Sequence, residues 1–568
     1  MWAAGTWTPI SHADDDNGAA IVFGDAINGS GSERMTAEQL QHHWGGSRLP
    51  DALGGFHAAA TYDPEKGLIV GADLLGIFPI YYYACEDVIL VGSSPELFRY
   101  HPCFEMKLNP TGLVGILLVK GIFDGQTLFS GVKRLAPGHL LICRPGKRAE
   151  EILQFEPKTS TKYFNLRLSE QAEILDQAID EAVFRHVPKG EKYGLMLSGG
   201  LDSRVLGGYL KQKNHNIFAL TEGLPTDNEM RCAIPVANAL GFKHVQFDVG
   251  YRGYSRFADL ATTWQHLCEG FTSIMYWGYY PYLRKTAARV VMGYFATEIL
   301  GDLFTNAIPK PGRPVSFQTF FRHLNRSAFR PEILKKLLRE EHFDELVPKT
   351  LRKIRKVYES YSDLEFQRVW RFGLHHYMRF HVGSVLWPLT FGAWPVLPFA
   401  DQEILETVGG MPIEALLDRC AERELLRKKF PKLARLPLNG ITYDTTPLVP
   451  TPWQKGLQQI AGDRGIWRLK SARNLRIILV IKLKGNRRYY SRISHFDSPG
   501  WQTVRKKAEP FLGLTSKFLN EDAVRELMPP STSGYARVML AMKRAGMAET
   551  TGLKTLSGFA LWLQKHPA

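Results

Sequence analysis

Ser198-Gly199-Gly200-Leu201-Asp202-Ser203 is the most informative segment of this chain of 568 residues. It follows an apolar, strand-like run at 193–197, and residues 204–210 after it have the pattern of a helix start. A strand, a glycine turn and a helix in this order present backbone N–H groups and the positive end of a helix to an anion. Ser198 and Ser203 add hydroxyl donors. We therefore interpret the hexapeptide as a loop that binds phosphate or pyrophosphate.

Asp202 lies inside this loop, where its charge would repel a bound phosphate. A carboxylate at such a place is typical of Mg²⁺ binding, because the ion prefers oxygen ligands and bridges to nucleotide phosphates. The alternative is a tight strand-to-helix turn that is merely capped by Asp and Ser. The strand before the loop and the helix after it favour phosphate binding. The candidate nucleotide-binding residues are thus Ser198, Gly199, Gly200, Leu201, Asp202 and Ser203, with Asp202 as the candidate Mg²⁺ ligand.

The composition is that of a globular protein with two or three domains, since 568 residues are too many for one core. No apolar run of about 18 residues occurs, and the first 17 residues lack a signal-peptide pattern. The six cysteines are scattered without a Cys-x-x-Cys pair, which is typical of reduced thiols. We expect a cytoplasmic location and no transmembrane segment.

The net charge of +15 suits an anionic partner. Basic residues are concentrated at 464–492, around the apolar run at 477–481. One interpretation is a basic amphipathic helix that contacts a membrane surface or a peptide. The favoured alternative is a solvated basic face on a helix that packs against the protein. No signature of a nucleic-acid module accompanies the region, so we do not expect nucleic-acid binding.

Periodicity divides the chain into two parts of different type. Residues 19–143 show short β-type runs separated by turns, with one helix at 36–44. The polar segment 144–161 indicates a linker, and Ser169 is the predicted cap of a helix at 170–186.

After the phosphate loop, strand and helix patterns alternate. A strand at 217–221, a helix at 229–240 and a strand at 244–249 predict a parallel sheet with both faces covered. Ligands bind at the carboxyl ends of the strands in such a sheet, and the phosphate loop is at one of those ends. Beyond Thr262 we expect mostly helix.

The hexapeptide resembles the loop of the ATP pyrophosphatases, which split ATP into AMP and pyrophosphate, and it lacks the Gly-Lys-Ser/Thr ending of a Walker A loop. Other stretches resemble the asparagine synthetase class B family. They are Leu53-Gly54-Gly55-Phe56, Ala72-Asp73-Leu74-Leu75-Gly76-Ile77-Phe78-Pro79-Ile80, Ser93-Ser94-Pro95-Glu96-Leu97, Asp227-Asn228-Glu229 and Leu397-Pro398-Phe399-Ala400-Asp401.

This resemblance implies an α/β chain with two folds. Residues 1–150 would form a glutamine amidotransferase type 2-like domain, an α+β sandwich of the N-terminal-nucleophile hydrolase type. Residues 165–455 would form a parallel-sheet ATP pyrophosphatase domain, with 456–568 as its helical extension. The implied cofactors are ATP and Mg²⁺.

The first departure from the family pattern is at the N-terminus. Glutamine-hydrolysing members expose a cysteine at position 2, which serves as nucleophile and base in one residue. This chain has Trp2, and its first cysteine is Cys85. The resemblance therefore predicts a domain without the nucleophilic cysteine, either because the start is truncated or because the glutaminase is inactive.

The second departure follows a predicted buried strand. Family members have a Gly-Glu-Gly-x-Asp-Glu-like stretch there, whose Asp is carried as a second Mg²⁺ ligand. This chain matches at Gly293 and Glu298 but has Tyr294 and Thr297 at the first Glu and the Asp. Tyr294 resembles the β-lactam synthetase branch, where a tyrosine helps to deprotonate an amine, and a packed aromatic is the alternative. Tyr294 and Glu298 are the candidate catalytic residues, and Glu298 or Asp302 is the candidate second metal ligand.

The third departure is a missing lysine. The family places a lysine that steadies the adenylate near the end of the site, but residues 436–452 contain neither Lys nor Arg, and the nearest cations are Arg435 and Lys455. Three histidines lack the carboxylate pairing of a zinc site, and we interpret them as core or surface residues. They are His375, His376 and His381.

The resemblance implies an ATP-dependent, AMP-forming carbon–nitrogen ligase that joins a carboxylate to an amine without its own glutaminase. Its substrate would be a small molecule or a peptide. Three alternatives stay open: a glutamine-hydrolysing asparagine synthase with a truncated N-terminus, a lasso peptide isopeptide-forming cyclase, and a catalytically dead scaffold or nucleotide-binding protein.

Overall fold

The computed structural model describes most of the chain. The described residues are 8–16, 18–29, 31–45, 50–85, 88–301, 315–362, 364–439, 445–453, 493–544 and 550–567, with the backbone alone at 341–343. Trp2, Asp302, Lys455 and the basic region 464–492 lie outside them.

The strands are β1 (Ile10–Asp15), β2 (Gly18–Gly24), β3 (His57–Asp63), β4 (Gly67–Ala72), β5 (Tyr81–Cys85), β6 (Val88–Gly92), β7 (Lys133–Arg134), β8 (His139–Cys143), β9 (Glu150–Leu153), β10 (Lys192–Met196), β11 (Asn216–Glu222), β12 (Lys243–Phe247), β13 (Arg289–Met292) and β14 (Trp394–Val396).

The α-helices are α1 (Ala37–Trp44), α2 (Pro110–Val119), α3 (Leu168–His186), α4 (Asp202–Gln212), α5 (Asn228–Leu240), α6 (Tyr254–Trp264), α7 (Tyr280–Leu283), α8 (Ala296–Ile299), α9 (Phe317–Leu324), α10 (Pro331–Leu337), α11 (Glu340–Glu359), α12 (Glu365–Phe372), α13 (Arg379–His381), α14 (Leu386–Leu389), α15 (Gln402–Gly409), α16 (Ile413–Leu416), α17 (Cys420–Lys429), α18 (Pro431–Ala434), α19 (Pro499–Ala508), α20 (Glu521–Leu527), α21 (Tyr535–Arg544) and α22 (Thr551–Lys565). Among them, none combines the length and apolar character that crossing a bilayer requires.

The N-terminal part is built on two antiparallel sheets. One has the strand order β1-β2-β3-β4-β8-β9 and the other β6-β5-β7. The prediction of a linker over residues 144–161 was wrong in part, because residues 150–153 form strand β9 and pair with β8. Helix α2 is apolar on every side and is buried, as expected for a helix enclosed between layers.

The phosphate loop leaves the middle strand of a parallel sheet. The strand order is β12-β11-β10-β13-β14, and each neighbouring pair is parallel. In β10, Leu195 lies opposite Ala219 on one side and Val291 on the other. The carboxyl ends of β10, β11 and β13 therefore meet at one edge, where the hexapeptide begins.

The two parts share one buried core. Trp394 of β14 packs on Phe56 and Phe78, with ring centroids 5.3 and 6.1 Å away, and its Nε1 donates to the Phe56 carbonyl at 2.9 Å. Gly24 is required at this contact, because a Cβ there would lie 2.0 Å from the Trp394 ring. The packing fixes the antiparallel sandwich against the edge of the parallel sheet.

Candidate active site

The phosphate loop has the backbone that its glycines predict. Gly199 has φ +72°, and a Cβ there would lie 2.5 Å from Cys232 Cβ. The Ser203 hydroxyl accepts from the Ser198 N–H at 3.1 Å, and the Ser198 hydroxyl accepts from the Gly200 N–H at 3.3 Å. The loop thus closes on its own hydroxyls and leads into α4 at Asp202.

A buried arginine anchors the loop to a later segment. Arg204 Nη2 donates to the Gly199 carbonyl at 3.1 Å, and Nη1 donates to the carbonyls of Leu433 and Leu436 at 2.9 and 3.0 Å. Burial lowers the pKa of Arg204 to about 10. The Asn439 N–H also donates to the Gly199 carbonyl, at 3.1 Å. The segment 433–439 is therefore held beside the loop. No motif in this segment predicts the contact.

A cavity of about 340 Å³ opens at the carboxyl ends of β10, β11 and β13. Predicted site residues that line it are Ser198, Asp202, Ser203, Tyr294 and Glu298. Gly199, Gly200 and Leu201 form the turn itself, outside the cavity wall. The wall also has polar residues that sequence reasoning did not name as site residues, among them Glu222, Glu229, Tyr276 and Tyr279. Glu222 could have been predicted from the sequence, because it directly follows the strand expected at 217–221 and ligands bind at the carboxyl ends of such strands.

Asp202 is contacted on both carboxylate oxygens. Oδ2 accepts a hydrogen bond from the Thr297 hydroxyl at 3.1 Å, and Oδ1 contacts the guanidinium of Arg419. Gly293 lets β13 approach, because a Cβ there would lie 2.8 Å from Asp202 Cβ. Arg419 was not among the sequence-based candidates, and no motif marks it.

The acidic donors fit a hard divalent ion. Asp202 and the buried Glu298 line the same cavity, and carboxylate oxygens are the ligands that Mg²⁺ takes beside nucleotide phosphates. Thr297, at the place of the family's second acidic ligand, offers a neutral hydroxyl that is already used on Asp202.

Tyr294 lies on the cavity wall. Its hydroxyl donates to the Tyr276 hydroxyl at 2.7 Å, and the Tyr276 ring packs on Tyr279 at 4.8 Å. The next residue, Phe295, has φ +74°, a left-handed conformation that is rare with a bulky side chain. Such strain is often found at functional sites. Here the left-handed Phe295 belongs to the turn that places Tyr294 at the cavity.

The remaining sequence candidates lie away from the cavity. Arg435 is exposed and is not part of the wall. The Tyr361 hydroxyl lies 3.1 Å from His375 Nδ1 and 2.9 Å from His376 Nε2, and His381 Nε2 lies 3.3 Å from Lys120 Nζ. Burial lowers the pKa of all three histidines, that of His376 to about 3. They are neutral packing residues, in agreement with their interpretation as core or surface residues and not as metal ligands.

Comparison with known proteins accounts for both parts of the fold. Residues 174–438 match the family model described as asparagine synthase, and residues 32–154 match that of a glutamine amidotransferase domain. The chain belongs to the asparagine synthetase class B family. The predicted fold class is confirmed, with an antiparallel sandwich before a parallel-sheet domain. The predicted domain borders stay predictions.

Relatives with names align over limited regions. Amidase chry2 of Gibberella zeae is 27% identical over 214 residues, which are 37% of this chain and 30% of the relative. Asparagine synthetase B [glutamine-hydrolyzing] of Escherichia coli is 27% identical over 216 residues, 35% of this chain and 33% of the relative. A putative asparagine synthetase [glutamine-hydrolyzing] of Mycobacterium tuberculosis is 24% identical over 212 residues, 36% and 32%. The chain thus spans about a third of the length of these relatives.

Proposed function

We propose that this member of the asparagine synthetase class B family is an ATP-dependent, AMP-forming ligase that adenylates a carboxylate and joins it to an amine. The observation that carries the proposal is the single cavity shared by the Ser198 to Ser203 loop, Asp202, Glu298 and Tyr294. A phosphate-binding turn, acidic ligands and a phenol at one edge of a parallel sheet are the parts that such a reaction needs.

In the first step the substrate carboxylate attacks the α-phosphorus of ATP, and the bond to the β-phosphate oxygen breaks. The departing pyrophosphate is held by the backbone N–H groups and the hydroxyls of the phosphate loop, with the N-terminus of α4 adding its partial positive charge. Asp202 and Glu298 would hold Mg²⁺, which neutralises phosphate charge when bound. The chain's own contribution is positioning and the stabilisation of charge.

In the second step an amine attacks the acyl carbon, the amide bond forms and AMP leaves. The amine must lose a proton, and the Tyr294 side chain would receive it in its phenolate form, becoming the neutral phenol that donates to Tyr276. Because a phenol at this place suits a substrate amine, we propose a free amine and not glutamine as the donor.

The test uses the purified full chain with ATP, Mg²⁺ and pairs of carboxylates and amines, with glutamine and ammonium as alternative donors, and measures AMP and pyrophosphate. We expect both products in equal amounts, and none from Asp202→Ala. Tight ATP binding without products from any pair would instead support a nucleotide-binding scaffold. Equal activity of Asp202→Ala would exclude the metal assignment.

A further inference from the structure

Arg419 is a cation in direct contact with the proposed metal ligand. It precedes α17, and its Nη2 contacts both Asp202 Oδ1 and Glu422 Oε2, while its Nε donates to Glu422 Oε2 at 2.8 Å. The Arg419 side chain is 11% exposed and that of Glu422 is 0% exposed. Because this guanidinium is nearly buried and contacts two carboxylates, its position is restricted.

The backbone before α17 is bent in a way that brings Arg419 to the loop. Asp418 has φ 51° and ψ 19°, and Arg419 has φ 57° and ψ 42°. Left-handed backbone is unfavourable for residues that carry a Cβ, and two such residues in a row persist only where their surroundings hold them. The contacts to Asp202 and Glu422 are the interactions that hold this corner.

The other oxygen of Asp202 meets a neutral group. Thr297 donates its hydroxyl to Oδ2, at the place where the family pattern has an acidic residue. The two contacts of the Asp202 carboxylate are therefore one cation, Arg419, and one neutral hydroxyl, Thr297. The cation makes the surroundings of this carboxylate more positive.

We propose that Arg419 is a positioning residue for Asp202, which fixes the carboxylate together with Thr297 and offsets its charge, so that the site attracts a divalent ion less strongly. The inference rests on the proposed function in one respect, the use of Asp202 as a metal ligand. Its benefit to the reaction is electrostatic: an Asp202 that is paired with Arg419 repels the phosphates of ATP less than a bare carboxylate does.

The test is Mn²⁺ binding to the nucleotide-free chain, followed by electron paramagnetic resonance of the unbound ion. Removing the guanidinium restores the full charge of Asp202, so we expect Arg419→Gln to bind Mn²⁺ about tenfold more tightly than the wild type. Arg419→Lys keeps the charge and should bind Mn²⁺ as the wild type does. Adding Asp202→Asn to Arg419→Gln should remove the gain.

Two further variants make the result unambiguous. Arg419→Gln removes the Arg419 charge from beside the buried Glu422, so Arg419→Gln/Glu422→Gln, which replaces both charged groups by neutral amides, should show the same gain in a more stable protein. Arg427→Gln removes an exposed arginine from the same helix and should change nothing.

A loss of structure would weaken Mn²⁺ binding, whereas the proposal requires it to strengthen. Unchanged or weaker Mn²⁺ binding in both Arg419→Gln and Arg419→Gln/Glu422→Gln would overturn the proposal. The titration needs no substrate, so it stays informative even if the chain forms no AMP, which would contradict the proposed function instead.

Discussion

Gly199 gives the phosphate loop its shape, and a larger residue is excluded there for two separate reasons. The residue has φ +72°, and a Cβ would meet Cys232 Cβ at 2.5 Å and the Glu229 carbonyl at 2.9 Å. Backbone strain and collision with α5 would both displace the N–H groups that face the phosphate. We expect Gly199→Ala to weaken ATP binding by at least about tenfold, as measured by calorimetry.

Gly146→Ala is the matched control, because Gly146 has φ +67° and no atom within 4 Å of a built Cβ. This variant carries the conformational cost without the collision. It should lose about 1 kcal/mol of stability and keep the ATP affinity. Equal loss of affinity in both variants would mean that general strain, and not the loop, controls binding.

Tyr294 is a second residue whose role can be isolated. Tyr294→Phe keeps the ring and its packing but removes the hydroxyl that donates to Tyr276. Since general base catalysis contributes about 10²- to 10⁴-fold, we expect AMP release to fall within that range while ATP affinity is unchanged.

Tyr100→Phe is the control for loss of a phenol, since Tyr100 is 82% exposed and is not part of the cavity wall. It should keep the full rate. A Tyr294→Phe variant with the wild-type rate would leave Tyr294 as a packed aromatic, the alternative that the sequence also allowed.

At the scale of elements, the short Leu397 to Asp401 stretch joins the sheet to α3. Arg185 Nη2 and Nε donate to Asp401 at 2.7 and 3.0 Å, and His186 Nε2 lies 3.0 Å from Oδ2. Burial alone would raise the pKa of Asp401, but the hydrogen bonds from His186 and Arg185 outweigh it and hold this pKa well below its usual value. The ionised carboxylate thus fixes the C-terminal end of α3.

Asp401→Asn should lower the free energy of unfolding by about 3–5 kcal/mol at pH 7, because it breaks a buried ion pair. A depressed folded-state pKa means that this stabilisation is complete above the unfolded pKa of about 3.9 and is lost as the pH falls through the folded value. Urea denaturation of both proteins at several pH values should therefore show a difference that shrinks below about pH 4.

Glu406→Gln, on the exposed side of α15, is the control and should change stability by less than about 0.5 kcal/mol. A difference between wild type and Asp401→Asn that stayed constant down to pH 2 would contradict the role of the Asp401 charge.

Elements with a clear period could be predicted from the sequence, and β14 could not. The helix expected at 229–240 is α5, and the strand expected at 217–221 is β11. The buried strand expected before Gly293 is β13. Strand β14 has three residues, too few for a period to show, and it lies where we expected mostly helix. The predicted cap of α3 was also wrong: the helix begins at Leu168, and the Glu170 side chain accepts the N–H of Arg167.

The candidate site divides in the same way. The loop could be found because a strand, a turn and a helix start are local in the chain, and Tyr294 was indicated by the resemblance to the family. Arg419 could not, because its approach to Asp202 depends on two left-handed residues and on a helix end brought near by tertiary packing.

At the level of the whole molecule, the end of helix α22 contacts the N-terminal part of the chain. His566, just after α22, has Nε2 at 3.0 Å from Glu96 Oε2 and Nδ1 at 2.8 Å from the Trp562 carbonyl. A carbonyl only accepts, so Nδ1 carries a hydrogen. Glu96 also accepts from Arg99 Nη1 at 2.7 Å. The contact is buried, with side-chain exposures of 0% for His566 and 7% for Glu96.

Glu96, His266 and His566 also have the spacing of a metal site, with ligand atoms within 4.8 Å of one another. The hydrogen bonds argue otherwise. Trp562 Nε1 donates to His266 Nδ1 at 3.1 Å, so the hydrogen of this neutral imidazole is on Nε2, the atom that would have to bind the metal. Burial, with His566 nearby, holds the pKa of His266 well below its usual value. The three side chains therefore form a buried hydrogen-bonded cluster that joins the segment after α22 to the N-terminal part of the chain.

Glu96→Gln should lower the free energy of unfolding by about 3–5 kcal/mol, because it removes the carboxylate charge that Arg99 and the buried His566 contact. Glu105→Gln is the matched control from the same part of the chain: its side chain is 66% exposed in a pair with Lys107, so its loss should cost less than about 1 kcal/mol. Urea denaturation followed by tryptophan fluorescence measures both.

Zinc and EDTA should leave the midpoint of wild-type unfolding unchanged, since the hydrogen on His266 Nε2 occupies the atom that a metal ion would need. A midpoint that rises with zinc in the wild type, and not in His566→Ala, would show that these three side chains form a metal site after all.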